Sequence, residues 1–161
     1  MIRKGKQFSR PKKAYEKTRI EEENVLVEKY GLKNKREIWK TLAAVNYYRT
    51  RGKELAKASS EEQEVLFNKL RALGLDIKNT TDVLALQVED ILKRRLPSMV
   101  ASKKLAQTPQ QARQMVVHKK VRIDGRVVNV PSYLVPVSEE NKIVVEKATA
   151  KAPKQEKEVA E

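Results

Sequence analysis

The stretch from Thr108 to Tyr133 constrains the fold more than any other, because it is punctuated at every joint. Thr108 is a good N-cap, and Pro109 suits the first helical position, where its missing N–H would be unpaired anyway. Gln111 stands where it completes a capping box. Ala112, Met115 and Val116 recur on one helical face, while Arg113 and Gln114 fall off it. His118, Lys119 and Lys120 close the helix. Val121-Arg122-Ile123 then alternates as a strand does, and Asp124-Gly125 is a strong hairpin signal because Gly accepts φ > 0 without steric cost. Val127 and Val128 begin the return strand, and Pro131-Ser132-Tyr133 ends it. These residues predict a helix followed by a hairpin, apolar on one side and basic on the other.

The flanking sequence extends this unit in both directions. Upstream, Thr18 with Glu21, Asn34 with Glu37, Ser59 with Glu62 and Asn79 with Asp82 each look like a capped helix start, and Gly31, Gly52 and Gly74 look like stops. Residues 18–92 are therefore expected to form four short helices. Their apolar faces run through Val25, Leu26 and Tyr30; Ile38, Trp39, Leu42, Val45 and Tyr48; Val65, Leu66, Leu70 and Leu73; and Leu84, Val88, Ile91 and Leu92. The spacing of Trp39 and one of Tyr47 and Tyr48 favours core packing over base stacking. Pro97 breaks or kinks the helix that ends in Lys93, Arg94 and Arg95. Downstream, Val135, Val137 and Ile143–Val145 are expected to add strands, with a turn at Glu139-Glu140-Asn141.

The expected class is α+β. A basic N-terminal arm (1–17), disordered alone, precedes a helical region (18–92). A small module of two helices and a short antiparallel sheet follows (93–147), then a disordered Lys/Glu/Ala/Pro tail (148–161).

Charge narrows the function. The 161 residues carry a formal net charge of +14, which points to a polyanionic partner. No apolar run approaches the ~20 residues that span a bilayer, and no secretory signal follows Arg3, Lys4 and Lys6. The chain has no cysteine and one histidine. Disulfides and thiolate zinc sites are therefore excluded, and a cytoplasmic location is the expectation. No Gly-rich phosphate loop, metal-ligand spacing or nucleophile elbow is present, so no cofactor, metal or small-molecule substrate is expected. His118 has no evident partner for base catalysis, and a helix-terminal or RNA-contacting role suits it better.

The basic residues cluster. Between Glu89 and Val128 ten basic residues face three acidic ones, a local excess that suits a phosphate backbone. Arg94 and Arg95 come off one helix end and Arg113 off the next. Side by side they would form a forked donor set, with Lys103, Lys104, Lys119, Lys120, Arg122 and Arg126 beside it. Free N–H groups at the helix start near Thr108 would add anion donors. The arm contributes Arg3, Lys4, Lys6, Arg10, Lys12 and Lys13, interleaved with Phe8 and Tyr15. Such a surface reads backbone shape more readily than sequence, which suits folded RNA.

Several motifs resemble the RNA-binding module of the family of small-subunit ribosomal protein four. They are Arg95-Leu96, Lys104-Leu105-Ala106, Thr108-x-x-Gln111-Ala112-Arg113-Gln114, Val117-His118, Val121-x-Ile123-Asp124-Gly125 and Pro131-Ser132-Tyr133. Two upstream segments, Tyr30 to Trp39 and Val88 to Leu96, are similar to the archaeal and eukaryotic branch. The bacterial cysteine zinc site cannot exist here, and the Lys/Glu tail favours an archaeal source.

The resemblance implies a primary binder of small-subunit ribosomal RNA that holds a multi-helix junction in the 5′ domain and nucleates assembly of the subunit body. It also implies contact with small-subunit protein five, an effect on translational accuracy, and proximity to the messenger RNA entry path. Carried over by position, the RNA contacts include Arg94, Arg95, Lys103, Lys104, Gln111, Arg113, Gln114, His118, Lys119, Lys120 and Arg122. Two rivals stand beside it. An RNA-modifying enzyme carrying the same module would need a catalytic cluster that residues 18–92 lack. A free-standing RNA chaperone or ribosome-associated factor would use the same module.

Overall fold

Eight helices and three strands make up residues 6–146, the part of the chain that the computed structural model describes. Arg3, Lys4 and the tail lie outside the described residues. Helices α1 (Lys17–Tyr30), α2 (Arg36–Leu55), α3 (Ser60–Ala72), α4 (Thr80–Ala85) and α5 (Val88–Lys93) form the first part. Then come α6 (Leu96–Ser102), α7 (Pro109–Val117), β1 (Val121–Ile123), β2 (Arg126–Val127), the single turn α8 (Val137–Glu140) and β3 (Ile143–Val145). The sheet is antiparallel in the order β2-β1-β3, with Arg122 opposite both Val127 and Val144.

The region expected to hold four helices holds five. The apolar spacing of Leu84, Val88 and Ile91 carries across Leu86, but Leu86 is extended (φ −50°, ψ 134°). A second capping interaction restarts the helix there, with the Asp90 carboxylate accepting the Gln87 N–H at 3.0 Å. Helix α1 starts at Lys17 rather than after a Thr18 cap, and Glu21 lies over Lys17 instead of reaching back. The apolar faces are narrower than expected. Val25, Leu42, Val65 and Leu84 are solvent-exposed, while Tyr30, Ile38, Val45, Leu66, Leu70 and Ile91 are buried as expected and Phe67 joins them.

Trp39 and Tyr48 are half-buried against the core, and Tyr47 is exposed. Pro97 sits in the first turn of α6, where its missing N–H costs nothing. Val137 is helical, not extended, because Pro136 caps a single turn there. The Asp124-Gly125 turn has φ of 51° and 77°, the two positive values a primed hairpin turn requires.

Three apolar clusters hold these elements. One joins α2 to α5 through Val45, Leu70, Ile77 and Val83. A second fills the module with Leu96, Val100, Ala112, Val116, Val121 and Val135. The third, Tyr30, Leu32, Ile38 and Leu92, lies where α1, α2 and α5 meet. Chain direction passes from α5 to α6 almost without a linker. The Leu96 N–H donates to the Tyr133 carbonyl (2.8 Å) and the Val135 N–H to that of Arg94 (2.9 Å), which ties the loop after β2 to this joint.

Candidate nucleic-acid interface

A cleft of about 650 Å³ opens where the helical region meets the module. Glu37, in the first turn of α2, lies at its floor. The Glu37 carboxylate receives Arg113 of α7 in a two-pronged grip, Nη1 to Oε2 at 3.0 Å and Nη2 to Oε1 at 2.7 Å. Arg95, the N-cap residue of α6, adds Nη2 to Oε2 at 2.6 Å. One carboxylate thus clamps two guanidiniums from the other side of the cleft. Burial pushes the Glu37 carboxyl up, but the hydrogen bonds and charges of Arg113 and Arg95 outweigh it and hold it below the usual carboxylate range. Glu37 was expected to cap α2. Its reach back is long (3.4 Å from the Lys33 N–H), because two cations are stronger donors than an amide.

The free fork of Arg94, Arg95 and Arg113 is therefore closed. Arg94 donates to Glu140 (2.9 Å) and to the Val135 carbonyl (2.8 Å). Gly74 backs it so closely that a Cβ there would sit 2.7 Å from the guanidinium carbon. Arg95 is buried. Lys103 donates to the Glu140 carbonyl and, at 3.4 Å, to Asn141. The start of α7 is likewise not an open anion site. The Thr108 hydroxyl accepts the Gln111 N–H (3.2 Å), the Gln111 side chain accepts the Gln107 N–H (2.9 Å), and Gly31 lies directly on the Pro109–Gln110 backbone.

Other predicted residues do face solvent. Lys104, Gln114, His118, Lys119, Arg122 and Arg126 are exposed, and Lys120 is half-buried. Lys104 and Lys119 sit at left-handed positions (φ 57° and 62°) just after α6 and α7, which throws both side chains off the helix ends. Arg122 pairs with Glu146 at 2.6 Å on the open face of the sheet. In the arm, Lys6, Arg10, Lys12 and Lys13 are exposed. From Lys6 onward the arm lies against α1 and α2, with Phe8 6.0 Å from Trp39 and Arg19 donating to the Lys13 and Ala14 carbonyls.

Sequence reasoning missed Lys33, Arg36 and Lys40, which line the cleft opposite the module. Arg36 and Lys40 are four residues apart on α2, a spacing that puts them on one face, and that signal was available. Together with the clamp they leave the cleft strongly positive, since Glu37 offsets only one of its two arginines.

Residues 94–141 match the S4 domain family. The small ribosomal subunit protein uS4 of Methanothermobacter thermautotrophicus is 42% identical over 144 residues, covering 86% of this chain and 84% of that protein. The chain belongs to the uS4 family of small ribosomal subunit proteins. The uS4 proteins of Methanosphaerula palustris and Korarchaeum cryptofilum are each 41% identical over 86% of the chain, covering 82% and 86% of their own lengths. It is a uS4 protein of archaeal type. Membership brings a structural, non-enzymatic role in the small subunit, and with it a ribosomal, cytoplasmic location.

Proposed function

We propose that this uS4 protein is a primary binder of small-subunit ribosomal RNA at a multi-helix junction of the 5′ domain. By holding that junction it nucleates assembly of the subunit body. The observation that carries the reading is the cleft. Lys33, Arg36 and Lys40 stand over a clamp that keeps one guanidinium charge in excess, at the seam between two packed units. Phosphates from converging RNA helices would be neutralised there, with release of counterions.

The module (93–147) contributes Lys104, Gln114, His118, Lys119, Lys120, Arg122 and Arg126, and the arm Lys6, Arg10, Lys12 and Lys13. Arg94, Arg95, Lys103, Thr108, Gln111 and Arg113 act mainly by holding the surface in shape. Contact with small-subunit protein five, an influence on accuracy, and a position near the messenger RNA entry path belong to the same proposal and rest on the family likeness.

The test is a titration against the 5′ domain RNA and an unrelated folded RNA of equal length, at rising salt. A preference for the 5′ domain that persists at high salt is expected. Equal affinities that collapse together would leave a nonspecific polyanion grip, and the free-standing chaperone reading would replace this one.

A further inference from the structure

A second cavity, of about 330 Å³, lies beneath the arm. That is within the size range of small-ligand sites. Pro11, Ala14 and Tyr15 of the arm wall it on one side, and Ile20 and Trp39 on the others, with Arg10 and Lys35 alongside. Two features are unexplained by folding. Tyr15 holds its ring almost entirely in water, at 95% exposure. Glu23, only 6% exposed, also lines the cavity and is half satisfied. Its Oε1 accepts Arg19 Nη1 (2.8 Å) and Trp39 Nε1 (2.9 Å), but its Oε2 has no hydrogen-bond donor among the described residues. Lys35 Nζ stands 3.5 Å from Oε2, half-exposed and already donating to the Ile20 carbonyl. A buried carboxylate oxygen without a donor is costly, and native structures rarely leave one unless something completes it.

A ligand that fits must be flat, with apolar faces for Tyr15 and Trp39. It must carry an N–H on its edge for Glu23, and it must be attached to negative charge for Arg10 and Lys35. We propose that this cavity takes one unstacked RNA base bearing an exocyclic amino group, with Glu23 Oε2 accepting that amino N–H. Adenine, cytosine and guanine qualify. Uracil has no exocyclic amino group, and its one edge N–H, at N3, is flanked by two carbonyl oxygens that a carboxylate repels. Lys35 shifts from Oε2 to the phosphate as the base enters. The inference rests on the RNA-binding reading above and adds a base-selective subsite to it, separate from the cleft.

Trp39 is the single tryptophan of the chain, so its emission reports this site alone. The full chain is titrated with short oligoadenylate, oligocytidylate and oligouridylate under tryptophan-selective excitation, while total binding is followed by filter retention. Oligoadenylate and oligocytidylate should change Trp39 emission with affinity roughly tenfold tighter than oligouridylate, the scale of one unmet buried acceptor. Glu23→Gln turns an amide NH₂ toward the cavity and should reverse that order, whereas its added charge alone would strengthen all three alike. Tyr15→Ala, at an exposed position that leaves the fold untouched, should weaken the preferred oligomers roughly tenfold through lost stacking. RNA retained on the filter with no change in Trp39 emission would overturn the subsite and leave RNA binding standing. So would an order of affinities that Glu23→Gln does not move. Retention of no RNA at all, the 5′ domain included, would overturn both.

Discussion

Replacing Glu37 by alanine tests the clamp directly. The side chains of Arg95, Glu37 and Arg113 are 7%, 16% and 20% exposed. Without Glu37, Arg113 can swing into the cleft and be rehydrated, whereas Arg95, which lines the cleft from a more buried position, is rehydrated less. Removing one partner of a buried pair costs about 3–5 kcal/mol, and partial rehydration of Arg113 puts this site at the lower end, about 3 kcal/mol. For a chain of this size that corresponds to a fall in Tm of roughly 6–12 °C.

The assay is urea unfolding of the full chain followed by circular dichroism, repeated across pH. The Glu37 carboxyl is held below its ordinary value of 4.5 in the folded state. A depressed folded pKa contributes stability that is complete above 4.5 and is lost as pH falls through the folded value. The gap between wild type and Glu37→Ala should therefore be constant near neutral pH and shrink in acid. Changing Glu37 and Arg95 together to methionine should recover most of the loss, since the only cation left without its partner is then Arg113, which can reach water through the cleft. A loss below about 1 kcal/mol, the level of an exposed ion pair, would refute the reasoning.

Further outcomes follow from the same geometry. Gly31→Ala should cost about 2 kcal/mol or more in urea unfolding, because φ is +58° and the new Cβ would lie 2.8 Å from the Pro109 carbonyl carbon. Gly125→Ala has φ +77° but open space around it, so only the backbone term of about 1 kcal/mol should appear. Leu70→Ala, at a fully buried position in the first cluster, should cost about 2–5 kcal/mol by leaving a cavity. The double variant Arg36→Ala with Lys40→Ala should leave stability within about 0.5 kcal/mol. It should also reduce the slope of log affinity for the 5′ domain against log salt by roughly 1.5, as read by filter binding.

What could be read ahead of the structure was local. Thr108 with Pro109, the Asp124-Gly125 turn and the Gly31 stop each depend on residues within one turn, and each stands where expected. The break at Leu86 was hidden because the apolar spacing continues through it, and the Gln87–Asp90 cap resembles ordinary helix interior. Glu37 was misread for a deeper reason. Its sequence neighbours make it a capping residue, whereas its strongest partner is 76 residues away. Charge counting found the basic surface but could not divide it. Arg94, Arg95 and Arg113 have acceptors that only tertiary structure supplies, while Lys33, Arg36 and Lys40 have none that the described residues reveal.

That 76-residue separation also bears on the order of events during synthesis and folding. Helices α1 to α5 and the buried residues of their two clusters are complete in the chain before Arg113 has been made, so Glu37 spends that interval without its two-pronged partner. Closing the grip requires contact across 76 residues of chain, so it is expected to form late, on the native side of the main barrier. An interaction absent from the transition state acts on escape rather than arrival. Loss of Glu37 should therefore leave the refolding rate nearly unchanged and appear almost wholly as faster unfolding.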